Sequence, residues 1–134
     1  MPSVTNQASG RARRALVHIV DDDAAVRDAL TFALRLEGLD ARAYDGAAAL
    51  LEAGDPPPGG CLVVDFAMPV TTGLELVEAL RRRGIELPVI LIAGYVDADL
   101  RHRAALVGVA HVLEKPLADS SLVELIRASL AAGE

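Results

Sequence analysis

The chain has no tryptophan, two tyrosines, two phenylalanines, one cysteine and, by count, a single lysine, Lys115, among 134 residues. Each scarcity excludes something. With so few rings the interior must be packed from Val, Leu, Ile and Ala, and with 52% of residues hydrophobic there is enough of them for one domain with a core of its own. Cys61 alone cannot close an internal disulfide, and no pair of His or Cys stands at zinc spacing. It opens an apolar run after Gly59-Gly60, where a small buried hydrophobe is expected. No apolar run approaches the roughly 20 residues of a membrane-spanning helix. The opening MPSVTNQASGRARR carries three arginines but leads into no signal-type apolar segment. Residues 1–14 therefore read as a flexible tail before a domain at 15–132, with a cytoplasmic location and no membrane contact expected. Positive charge is also short. A net charge of −6 and a pI near 5.0 argue against direct nucleic-acid binding by the body of the chain.

What is present is an alternation. Short apolar runs recur at 15–20, 39–44, 61–64, 89–93 and 109–113. The first, third and fourth are nearly continuous in Val, Leu and Ile, as in central strands covered on both faces. The second alternates Leu39, Ala41 and Ala43 with polar neighbours, as an edge strand does. Between the runs lie helical patterns. Val26, Ala29, Leu30, Ala33 and Leu34 share a helix face that stops at Gly38. An Ala-rich segment covers about 46–54. Thr72 and Glu75 form a capping-box pair. Asp97 caps a helix running to about Val107 with Gly108 as its stop, and Asp119 caps the last helix. Strand–helix alternation of this length gives an α/β fold, (βα)5, with a doubly wound parallel five-stranded sheet. Ligands in such sheets bind beyond the carboxyl ends of the strands.

Those ends are chemically loaded. The first strand runs into Asp21-Asp22-Asp23, the third into Asp65, the fourth into Ala93-Gly94 and the fifth into Glu114-Lys115-Pro116. Crowded carboxylates repel one another unless a cation neutralises them. Hard oxygen donors in this number suit Mg²⁺, which favours one or two carboxylates plus a phosphate. A metal site, an ionised aspartate and a nearby ammonium together make a site for phosphoryl transfer onto the protein. Asp23 reads as a helix cap. Lys115 is notable because every other basic position is Arg, which points to a need for a compact charge.

The stretches VHIVDDDAAVR, VVDFAMPVTTGLEL, PVILIAGYVD and VLEKPL resemble the response-regulator receiver family of two-component signalling from about Ala15 to Leu130, and most resemble the nitrogen-fixation regulators within it. The resemblance implies a flavodoxin-like receiver fold with strand order 2-1-3-4-5. It implies Asp65 as phosphoacceptor, Lys115 as the phosphoryl-binding residue, and Mg²⁺ held by Asp21, Asp22, Asp65 and the backbone carbonyl of Ala67. It implies a cis bond before Pro116, and a phosphodonor that is a histidine kinase, a phosphotransfer protein or a small molecule. It also implies a signalling domain rather than a turnover enzyme. If no output domain follows the fifth helix, as expected for a stand-alone receiver and not for a fragment of a longer regulator, the signal passes through a downstream protein. The expected face, for that protein or for a homodimer, is the fourth helix, fifth strand and fifth helix, around Leu100, Arg103, Val109, His111 and Leu125.

Two positions depart from the family pattern. Ala93 replaces the Thr or Ser at the end of the fourth strand, and Val112 replaces the aromatic residue before the lysine. Both halves of the usual conformational readout are absent, with Tyr95 as a possible substitute. The alternatives are a degenerate receiver that binds proteins without phosphorylation, and a haloacid-dehalogenase-type phosphatase. The second lacks its further acidic pair, since only Asp119, Glu124 and Glu134 follow Lys115. His18 and His111 read as strand histidines, His102 as part of a solvated basic face, and Arg81-Arg82-Arg83 as charge suited to a helix end.

Overall fold

The computed structural model describes residues 15–117 and 120–132. The expected tail at 1–14, the Asp119 cap and Glu134 lie outside the described residues. The elements are β1 (Leu16–Val20), α1 (Ala24–Leu36), β2 (Asp40–Tyr44), α2 (Gly46–Glu52), β3 (Cys61–Asp65), α3 (Gly73–Arg82), β4 (Val89–Ala93), α4 (Ala98–Leu106), β5 (His111–Glu114) and α5 (Ser121–Ala132). The strands form one parallel sheet in the order β2-β1-β3-β4-β5. This is the doubly wound receiver-type topology expected from the sequence.

Side-chain alternation along the strands divides the core in two. Leu62 and Val64 of β3, with Val89, Leu91 and Ala93 of β4, meet Leu50, Leu76, Val77 and Leu80 on one face. Cys61 and Val63, with Ile90 and Ile92, meet Leu34, Leu122 and Ile126 on the other. Cys61 is fully buried, and burial pushes its thiol up to about 12, so it packs as a hydrophobe and stays protonated. No described helix is long and apolar enough to cross a membrane.

Local chemistry sets the helix boundaries. Asp23 accepts from the N–H groups of Ala25 and Val26, Asp97 accepts from Leu100, and both hydrogen bonds of the Thr72–Glu75 capping box form. Helices α1, α3 and α4 end alike. The N–H groups of Gly38 and Leu39 return to Arg35 and Leu34, those of Gly84 and Ile85 to Arg81 and Leu80, and those of Gly108 and Val109 to Ala105 and Ala104. Each is a Schellman closure around a left-handed glycine. The motif also explains two shifted strand starts. Leu39 and Val109 are engaged in closing helices, so β2 begins at Asp40 and β5 at His111, later than the apolar runs suggest.

One further expectation changes. Leu100 is 5% exposed and sits in the core, because the Asp97 cap turns it inward, so it is not available on the α4–β5–α5 face. His18, also buried, has its Nδ1 3.4 Å from the Tyr44 hydroxyl, while its Nε2 has no hydrogen-bond partner. Burial, and then the charge of Arg42, holds its pKa below 6.5, so it stays neutral.

Candidate functional site

The carboxyl edge of the sheet carries the charged residues, and strand geometry brings them together. After β1, the N–H of Asp21 donates to the Tyr44 carbonyl at 3.2 Å, which extends the β1–β2 pairing by one residue. The Asp21 side chain is thereby turned inward, 5% exposed, and its Oδ1 accepts from the Asp23 N–H at 2.9 Å. The three consecutive aspartates thus have three positions: Asp21 buried, Asp22 exposed, Asp23 capping α1.

Asp65 closes β3 opposite Ile92 and is 6% exposed. One oxygen atom from each of Asp21, Asp22 and Asp65 lies within 4.8 Å of the others. Lys115 is delivered by β5, where its N–H donates to the Ala93 carbonyl at 2.9 Å. Its Nζ reaches Asp65 Oδ1 at 3.1 Å. The contact is ionic rather than a directed hydrogen bond, and it leaves the buried Oδ1 without a hydrogen-bond donor. The Lys115–Pro116 peptide is cis.

The electrostatics follow from this crowding. Burial pushes the Asp21 carboxyl above its ordinary value, and the charges of Asp65 and Asp22 push the same way. The Asp23 N–H and Lys115 oppose them. One ammonium does not offset three carboxylates, and a buried oxygen without a donor is costly. The donor set is entirely hard oxygen, and its spacing and orphaned Oδ1 fit a divalent cation such as Mg²⁺. Ala67 lies in the exposed loop two residues beyond Asp65.

Several contributors were not evident in the sequence. Gly73 starts α3 with its N–H donating to the Phe66 carbonyl at 2.9 Å. A Cβ placed there would lie 2.6 Å from the Asp65 carbonyl oxygen, so glycine lets α3 press on the backbone that carries Asp65. Val70 has φ 71° and is fully exposed. Thr71 N–H donates across it to the Pro69 carbonyl at 2.7 Å, a γ-turn of the strained hand. Glu114 Oε1 accepts from the Val96 N–H at 3.3 Å, tying the β4–α4 loop to β5. The signals were a Gly at a helix start, a β-branched residue beside Met-Pro, and an acid next to the lysine.

The two departing positions are packed as hydrophobes. Ala93 is buried, and half-buried Val112 packs against the core. Tyr95 is 74% exposed.

Comparison with known proteins gives a consistent result. The family described as the response regulator receiver domain matches residues 17–127. The transcriptional regulatory protein FixJ of Azorhizobium caulinodans is 44% identical over 114 residues, covering 85% of this chain and 54% of that protein. The transcriptional regulatory protein TdiR of Thauera aromatica is 37% identical over 125 residues, covering 93% and 55%. The chain spans about half the length of these relatives. Among solved structures, FixJ-N superposes with a TM-score of 0.80 at 33% identity, covering 87% of this chain and 94% of that one. Full-length FixJ from B. japonicum superposes with a TM-score of 0.81 at 32% identity, covering 90% and 60%.

Proposed function

The chain belongs to the response-regulator receiver family, and on that premise we propose that it accepts a phosphoryl group on Asp65 and signals by protein contact. The observation that carries this reading is the state of Asp65. It is a buried carboxylate whose Oδ1 lacks a hydrogen-bond donor, 3.1 Å from the chain's lysine and within 4.8 Å of two further carboxylates.

In the proposed reaction an Asp65 oxygen attacks the phosphorus of a phosphohistidine on a kinase or phosphotransfer protein, or of a small acyl phosphate. A P–O bond to Asp65 forms as the bond to the donor breaks, and the donor atom leaves with the electron pair. Asp21, Asp22, Asp65 and the Ala67 carbonyl would hold Mg²⁺. Once bound, the ion would supply positive charge against the phosphoryl oxygens. Lys115, a point charge on a flexible stem, can follow the phosphoryl group from donor to Asp65. The strand-end backbone fixes the carboxylates beforehand, so little reorganisation is needed when the donor arrives.

Transmission takes another route than the hydroxyl and aromatic pair, since Ala93 offers no hydroxyl and Val112 no aromatic ring. The β4–α4 loop is tied to β5 through Glu114, next to Lys115. We assign the readout to that segment, with Tyr95 available only if it swings inward from its exposed position. The partners on this reading are a cytoplasmic histidine kinase or phosphotransfer protein and a downstream protein, with a homodimer through α4–β5–α5 as a further assembly.

Incubation with Mg²⁺ and acetyl phosphate followed by intact mass tests the reaction. One phosphoryl adduct is expected, absent without Mg²⁺ and absent in Asp65→Asn. No adduct on the native chain would favour a receiver that binds partners without phosphorylation, a reading that Ala93 and Val112 support. An adduct that persists in Asp65→Asn would contradict the assignment of the acceptor.

A further inference from the structure

Arg27 stands where the helix dipole alone would disfavour a cation. It lies in the first turn of α1, at the positive end of the helix dipole, in a turn with no acidic residue. Nor is it a solvated arginine, since its side chain is only 18% exposed. Helical side chains lean toward the N-terminus of their own helix, and Arg27 leans back over the aspartate loop. Its Nη1 donates to the Asp21 carbonyl at 2.8 Å and lies 3.3 Å from Asp45 Oδ1. Asp45 occupies the N-cap position of α2, yet its side chain makes no capping hydrogen bond. Instead it faces Arg27, and it shares a cleft of about 250 Å³ with Asp22.

We propose that Arg27, braced by Asp45, is a positioning residue for cation binding at Asp21, Asp22 and Asp65. The inference rests on the reading of that cluster as a Mg²⁺ site. The Asp21 carbonyl and the Asp22 N–H belong to one rigid peptide plane. Holding that carbonyl fixes the plane from which the exposed Asp22 side chain projects. Asp45 keeps the guanidinium in place and ties the end of β2 to the end of β1. Partners that orient metal ligands without touching the ion commonly change metal affinity by roughly 10–100-fold when removed.

The sign of the effect separates positioning from bare charge. Removing a guanidinium beside a cation site should tighten Mg²⁺ binding if only Coulomb repulsion matters. It should loosen binding if Arg27 sets the Asp22 backbone. Calorimetric titration of the whole chain with Mg²⁺ reads this directly, and urea unfolding without Mg²⁺ confirms that each variant is folded. Arg27→Met is expected to weaken binding by roughly tenfold or more, and Arg27→Lys, which keeps charge and a donor, to recover part of that loss. Asp45→Asn is expected to weaken binding by about twofold to threefold, the effect of losing an exposed ion pair. Unchanged or tighter binding in folded Arg27→Met overturns the proposal. If that variant does not fold, Arg27→Lys decides: it keeps the charge, so wild-type affinity there overturns the proposal. Absence of Mg²⁺ binding by the native chain overturns both the site reading and the brace, whereas native binding with an unaltered Arg27→Met overturns the brace alone.

Discussion

The two ends of the sheet both set a cation against oxygen atoms, and they finish the job differently. At the amino end Arg81 donates to the carbonyls of Val107, Ile85, Leu87 and Gly108 at 2.9–3.1 Å. Val107 is the C-cap residue of α4, Gly108 follows it, and Ile85 and Leu87 lie in the loop between α3 and β4. A planar fork closes that end with neutral acceptors. At the carboxyl end the only lysine is paired with Asp65, one of three clustered carboxylates, one buried oxygen lacks a donor, and Val70 holds a left-handed conformation. One end is closed by neutral acceptors and the other crowds like charges together. Stability and reactivity are separated along the strand direction, so a repulsive site can be built without loosening the core between.

The sharpest way to break this contrast is to attack the closed end. Arg81→Met should lower the free energy of unfolding by about 2–4 kcal/mol, since several carbonyls lose a charged donor at once. Urea denaturation would measure this, and Mg²⁺ affinity in the folded variant should be unchanged. A weakened Mg²⁺ site would show that the two ends are coupled.

At the open end the same experiment should give the opposite sign. Val70→Asn should stabilise the chain by about 1 kcal/mol, because asparagine tolerates the left-handed region that a β-branched residue resists. Asp21→Asn should also stabilise the ion-free protein at neutral pH, by about 1 kcal/mol. Burial raises the folded-state pKa of Asp21 above its ordinary 3.8, so the folded chain holds that proton more tightly than the unfolded chain. The stability contributed by Asp21 is full below 3.8 and is lost as pH rises through the folded value. The gap between Asp21→Asn and the native chain should therefore close in acid, as denaturation across pH would reveal. The smallest effect is expected at Tyr95. Because it is exposed, Tyr95→Ala should change stability by less than about 0.5 kcal/mol. A longer or shorter lifetime of the phosphorylated state in that variant would bring Tyr95 into the site.

What could be read from the sequence was local or marked by a strand end. Asp23, Thr72, Glu75 and Asp97 cap helices through bonds spanning two or three residues, and Gly38 and Gly108 close helices in the same way. The acids and Lys115 could be placed because they terminate apolar runs, and parallel topology puts those termini on one edge. Arg81 and Arg27 were less accessible. Their bonds run to loop carbonyls four to six residues away and, for Val107, Gly108 and Asp45, across tertiary space, where side-chain length and direction decide the partner. The helix dipole accounts for Arg81 at a helix end but says nothing of the four carbonyls it reaches, and it argues against Arg27 at a helix start. Val70 escaped notice because a strained turn usually carries Gly or Asn. The start of β5 was placed early because hydrophobicity does not show that the N–H of Val109 is already engaged in closing α4.

On the proposed reading, Asp65 is where the open end does its chemistry. After treatment with Mg²⁺ and acetyl phosphate, borohydride reduction would convert a phosphorylated aspartate to homoserine, and tandem mass spectrometry of the peptides would locate it. Homoserine is expected at position 65 alone, and none without Mg²⁺. Homoserine at Asp21 or Asp22, or at no position, would contradict it.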